Sequence, residues 1–150
     1  MNNKSICIFD IDGTLANCDH RLHYIKNKPK NWQAFYSECM DDLLIWPVAE
    51  MLKLFSKNNF IYIVTGRPES NRSLTEAWLN HHNIKYDKLI MRGDRDFRKS
   101  PDYKSSVCDK IEAEGNKIIL SVEDRKDCVN MFINRGIYTF DVSNGAEHDV

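Results

Sequence analysis

Five short apolar runs, four of them followed by stretches with helical spacing, constrain the fold of this 150-residue chain more than any other feature. Strands are expected at residues 5–9, 60–64, 89–91, 117–122 and 137–140, and helices at 47–57, 70–82, 103–114 and 125–135. Pro47 suits a first helical turn, and Gly115 and Gly136 fall where helices should end. Strands separated by helices need crossover connections. The expected fold is therefore α/β, a three-layer Rossmann-like arrangement around a mostly parallel central sheet. In such sheets ligands bind beyond the carboxyl ends of the strands.

Reactive residues stand where that rule places a site. The first apolar run, Ile6-Cys7-Ile8-Phe9, passes directly into Asp10-Ile11-Asp12-Gly13-Thr14, so two carboxylates lie one residue apart at the end of a buried strand. Desolvating both is costly unless a cation offsets their charge. The second run ends in Thr65-Gly66-Arg67 and the fourth in Glu123-Asp124, while Lys104 stands near the start of the preceding helix. A carboxylate cluster with a hydroxyl, a lysine and an arginine suits a phosphate monoester with Mg²⁺. The metal takes hard oxygen ligands and the cationic side chains neutralise phosphoryl oxygens.

Composition narrows the class. A net charge of −1 argues against a protein that holds nucleic acid through a broad basic surface, while leaving room for a local basic pocket. Five scattered cysteines, none in a Cys-x-x-Cys pair, read as reduced thiols of a cytoplasmic protein rather than as disulfides or a zinc cluster. No apolar run is long enough for a signal-peptide core or a membrane span. Residues 1–150 read as a single domain, ending in a polar, acidic stretch at 143–150.

The motifs resemble those of the haloacid dehalogenase (HAD) superfamily of phosphatases over nearly the whole chain. Asp10-Ile11-Asp12-Gly13-Thr14, Thr65, Lys104 and Glu123-Asp124 match its four motifs in order and approximate spacing. The resemblance implies a HAD-like fold and a two-step reaction through an aspartyl-phosphate. Asp10 would be the nucleophile, and Asp12 the acid and then the base. Thr65 and Lys104 would hold the phosphoryl group. Asp10, the backbone carbonyl of Asp12 and Asp124 would ligate Mg²⁺, with Glu123 in support.

Within that superfamily the chain is most similar to the 3′-phosphatase domain of polynucleotide 5′-kinase/3′-phosphatase enzymes. Arg21, Thr65-Gly66-Arg67-Pro68, Met91-Arg92-Gly93-Asp94 and Glu123-Asp124-Arg125 carry the likeness. It implies that Arg21, Gly66 and Arg67 lie near the substrate phosphate or the nucleotide beyond it. The pattern departs at Ser100, where an aspartate usually stands. No Gly-x-x-x-x-Gly-Lys-Ser/Thr loop occurs, so no kinase activity is expected. Pairing with a separately encoded kinase or ligase is compatible with this reading.

Other readings of the same residues are weaker. A calcium loop begun at Asp10 would put Gly13 at its fourth position rather than its sixth and end on Arg21 instead of glutamate. A receiver domain would carry its phosphoacceptor on a central strand in mid-chain. His20, His23 and the His81-His82 pair lack the spacing of a paired-histidine metal motif. Trp32, Phe35, Tyr36 and Cys39 recur at helical spacing and read either as a packed face or as part of a small helical cap at about residues 19–46. For substrate, phosphorylated nucleic-acid 3′ ends lead, free nucleoside monophosphates are the nearest alternative, and a catalytically silent binding module is the third.

Overall fold

The computed structural model describes residues 5–146; residues 147–150 of the polar C-terminal stretch lie outside it. Its centre is a five-stranded parallel sheet. The strands are β1 (Ile6–Phe9), β4 (Phe60–Pro68), β5 (Lys88–Arg92), β6 (Ile118–Glu123) and β7 (Tyr138–Asp141), ordered β5-β4-β1-β6-β7. All four residues of β1 are buried, as expected for a central strand covered on both faces. Cys7 and Phe9 pack toward α3 (Trp46–Ser56) and α4 (Arg72–His81), while Ile6 and Ile8 pack toward α5 (Ser100–Ala113) and α6 (Lys126–Asn134). The two-residue alternation of a strand thus feeds two separate cores and makes three layers. Among the described residues no helix is long and apolar enough to cross a membrane.

The expected strands and helices lie within a few residues of the observed ones, with one instructive difference. β4 continues past Val64 through Thr65-Gly66-Arg67 to Pro68, with a shift in its register against β5 between Thr65 and Pro68. Pro68 pairs Arg92 only after that irregularity, which is where a strand tolerates proline.

Between β1 and α3 lies a segment built from short pieces. Strands β2 (Ala16–Asn17) and β3 (Leu43–Leu44) pair antiparallel at its base. Beyond them come a 3₁₀ turn at Asp19–Arg21, α1 (His23–Lys26), α2 (Trp32–Ser37) and a second 3₁₀ turn at Cys39–Asp41. Asn31 caps α2 by accepting a hydrogen bond from the Ala34 amide at 3.1 Å. Cys18, Ile25 and Phe35 form a satellite cluster of their own, so the segment is held partly by its own burial.

Candidate active site

The strand order reverses direction at β1: the chain first adds β4 and β5 on one side, then β6 and β7 on the other. The carboxyl ends of β1, β4 and β6 therefore open onto one crevice. A cavity of about 1000 Å³ occupies it, lined by Asp10, Asp12, Thr65, Gly66, Lys104 and Asp124 together with residues of the β2–β3 segment.

Two charge assemblies meet there. In the first, Lys104 reaches from α5 and places its Nζ 3.0 Å from Asp10 Oδ1 and 2.6 Å from Glu123 Oε2. The other Glu123 oxygen accepts the backbone N–H groups of Asp124 and Arg125. Burial would push the Lys104 ammonium down, but the Asp10 and Glu123 carboxylates outweigh it and hold the group charged, well above the ordinary lysine range. Burial first, then the charge of Glu123, raises the Asp10 carboxyl to about 7, with Lys104 pulling the other way. Asp10, Glu123 and Asp124, all buried, each bring an oxygen within 4.8 Å of the others. Such a cluster of hard anionic oxygens fits a divalent cation. Because both Glu123 oxygens are engaged, Asp10 and Asp124 are the carboxylates best placed to hold it directly.

Backbone geometry keeps Asp124 in position. Gly13 has φ +82°, and a Cβ built on it would lie 2.1 Å from Asp124 Oδ2, so a side chain there would strike the carboxylate. Thr14 completes the contact, its Oγ1 donating to Asp124 Oδ1 at 3.0 Å. The Asp-Gly-Thr order thus serves a turn that packs against the end of β6.

In the second assembly Asp12 is gripped by two arginines. Its Oδ1 accepts from Arg21 Nη2 at 2.6 Å and Arg67 Nη2 at 2.7 Å, while Oδ2 receives only Arg67 Nε at 3.2 Å. Burial would raise this carboxyl, but Arg67 and Arg21 outweigh it and hold it well below the ordinary carboxylate range. Behind the arginines lies Asp42, fully buried, accepting from Arg21 Nε at 2.8 Å and Nη2 at 2.6 Å. His20 adds a contact of 2.7 Å to the same carboxylate. Arg67 Nη1 donates to Thr75 Oγ1 at 3.1 Å, and Arg21 Nη1 donates to the Phe35 carbonyl at 3.0 Å.

All nine residues singled out in the sequence converge on this crevice, though not on the same side of its wall. Asp10, Asp12, Thr65, Gly66, Lys104 and Asp124 line the cavity; Glu123 stands behind Lys104. Arg21 and Arg67 are wholly buried behind Asp12, and their contacts are with protein groups rather than with the cavity. Asp42 was not legible in advance. In Met40-Asp41-Asp42 it looks like one of two surface acids, and only its burial between arginines, with its backbone carbonyl accepting Trp78 Nε1 at 3.0 Å, reveals it. At the position of departure, Ser100 opens α5 and accepts a hydrogen bond from Arg92 Nη2 at 3.2 Å.

The family model of the polynucleotide kinase PNKP phosphatase domain matches residues 4–146. The chain belongs to that family. It is a phosphatase domain of the HAD type, and two solved structures carry the likeness beyond fold. A Pnkp1/Rnl/Hen1 RNA repair complex contains a chain 28% identical, with a TM-score of 0.79 over 93% of this chain and 42% of that one. A second Pnkp1/Rnl/Hen1 complex gives 29% identity and a TM-score of 0.78 over 93% and 46%. The chain thus spans less than half the length of these two relatives. A haloacid dehalogenase-like hydrolase from Streptococcus pneumoniae, 14% identical, shares the fold over 94% of this chain and 85% of its own, with a TM-score of 0.66.

Proposed function

We propose that this PNKP-type phosphatase domain removes phosphate from the 3′ ends of nucleic acid, in a Mg²⁺-dependent reaction that passes through an aspartyl-phosphate on Asp10. The observation that carries the reading is the split of the two acids: Asp10 beside Lys104, and Asp12 two residues on in the grip of Arg21 and Arg67. Lys104 beside Asp10 suits a nucleophile, and the arginines that hold Asp12 as a carboxylate suit the base of the second step; to serve as the acid of the first step, Asp12 must take up a proton as the substrate binds.

In the first step an Asp10 oxygen attacks phosphorus, the bond to the leaving oxygen breaks, and Asp12 supplies the proton that oxygen takes. In the second, water attacks the same phosphorus, Asp12 accepts its proton, and the Asp10 carboxylate is released with inorganic phosphate. Oδ2 is the Asp12 oxygen suited to carry that proton, since both arginine Nη2 groups are spent on Oδ1. Arg21 and Arg67 then act by orienting Asp12. Thr65 and the Gly66 backbone face the cavity and would hold the phosphoryl group, and Lys104 neutralises it next to Asp10. Mg²⁺ held by Asp10, Asp124 and the Asp12 carbonyl would screen the repulsion between the Asp10 carboxylate and the phosphate dianion.

Residues 1–150 are read as one catalytic domain, with the β2–β3 segment as a small cap. The likeness to chains of Pnkp1/Rnl/Hen1 complexes supports a place beside a kinase or ligase in nucleic-acid repair. The five buried, unpaired cysteines fit a reducing compartment such as the cytoplasm.

Purified protein with Mg²⁺ should be offered 3′-phosphorylated and 5′-phosphorylated oligonucleotides beside free nucleoside monophosphates, with phosphate release measured. Preference for the 3′ ends is expected. Turnover of free monophosphates alone would replace the end-processing reading with a nucleotidase, and no release from any ester would favour a binding module.

A further inference from the structure

The chain carries 22 acidic and 21 basic residues, yet no carboxylate occurs between Asp19 and Glu38. That stretch holds His20, Arg21, His23, Lys26, Lys28 and Lys30, and its lysines are all exposed. Arg21 is consumed by Asp12 and Asp42. The three lysines make no ion pair among the described residues, and Glu38, the next acid along the chain, is taken by the Tyr24 hydroxyl at 2.8 Å. The outer part of the segment is thus a cationic knuckle on a protein with almost no net charge.

The knuckle adjoins the active-site cavity. Trp32 lines that cavity while 42% exposed, and Lys30 Nζ stands 5.6 Å from the centre of its ring. A second aromatic, Phe97, lines the same cavity from the loop after β5 and is 88% exposed. An exposed ring beside Lys30, and a second exposed ring on the same cavity, match what a single strand offers: repeating phosphates and bases with stackable faces. Asp10 is only 6% exposed, so the terminal phosphate must enter the cavity to reach it.

We propose that Lys26, Lys28 and Lys30, with the rings of Trp32 and Phe97, form a docking surface for the single strand that leads to the terminal phosphate. The inference rests on the 3′-end reading above and adds to it the residues that would separate a polynucleotide from a free nucleotide.

The test uses a fluorescent single-stranded oligonucleotide ending in a 3′ hydroxyl, so that binding is read apart from turnover. Its affinity for the wild-type chain and for the Lys26→Ala/Lys28→Ala/Lys30→Ala variant is measured by anisotropy across a salt series, with melting temperature as the check on folding. The variant should bind at least tenfold more weakly at low salt, with a salt-dependence slope reduced in magnitude by about two, as loss of three single-strand phosphate contacts implies. Trp32→Ala should weaken binding several-fold and leave the slope intact. In turnover, the triple variant should lose at least tenfold more kcat/KM on a 3′-phosphorylated oligonucleotide than on p-nitrophenyl phosphate. Equal binding by wild type and triple variant, or equal losses on both substrates, would overturn the docking surface. A wild-type protein that binds the strand but releases phosphate only from small esters would sink the 3′-end reading and leave the docking surface standing.

Discussion

Arg21 Nη2 stands 2.6 Å from a carboxylate oxygen of Asp42, with both side chains wholly out of solvent. Neither belongs to the sheet, and the pair sits behind the acid that faces the cavity. Breaking such a pair from one side leaves an uncompensated buried charge, which typically costs about 3–5 kcal/mol. Asp42→Asn should therefore lower unfolding stability by an amount in that range, read from urea denaturation midpoints at constant slope. A loss under roughly 1 kcal/mol, typical of an exposed pair, would show that water reaches the site.

Asp10 has a different relation to stability. Its carboxylate is crowded by Glu123 and buried, with Lys104 as its one cationic contact among the described residues. Asp10→Asn should abolish phosphate release, by at least about 10³-fold in kcat, because the nucleophile is gone. The metal-free variant should melt no lower than the metal-free wild type, since one of three crowded anions is removed. Full activity in this variant would exclude the covalent route.

Gly13 supplies a third prediction. Gly13→Ala forces a Cβ into the space of Asp124 Oδ2 and a side chain onto a φ of +82°. Strain of that kind costs about 1–3 kcal/mol. Since the displaced group is the carboxylate proposed to hold Mg²⁺, the Mg²⁺ concentration needed for half-maximal activity should rise more than tenfold. Unchanged metal dependence would mean that Asp124 is not a ligand.

The thiols give the pH dependence. Burial raises all five, Cys7 and Cys108 to about 11, against an ordinary value near 9. The folded state therefore keeps protons that the unfolded chain gives up. For Cys7 and Cys108 that contribution to stability is complete below pH 9 and is lost as pH rises from about 9 toward 11. At pH 8 native protein should resist iodoacetamide at all five positions and become reactive in denaturant. Fast native labelling at any one of them would contradict its burial.

How much of this the sequence discloses depends on what sets each feature. Asp10, Thr65 and Glu123 follow buried apolar runs, and a run of apolar residues that stops abruptly marks the edge of a sheet whatever packs around it. The pairing of Ala16–Asn17 with Leu43–Leu44 leaves no such trace, because two residues per strand carry no period. Arg21 and Arg67 were expected near the phosphate on resemblance alone. Which way a guanidinium points depends on where Asp42 ends up, and Asp42 comes to rest between them only after the segment from 18 to 42 has folded back.

Arg67, next to last in β4, touches Asp42, the residue next to β3, while also reaching Thr75 on α4. One side chain of the sheet thus rivets the returning end of the β2–β3 segment to the floor of the crevice. Swinging that segment away as a rigid lid would require pulling apart buried charges, at a cost that leaves fewer than roughly one molecule in a hundred open. The doorway is therefore a fixed post rather than a hinged flap. Its clearance is decided when the protein folds, not when a ligand arrives.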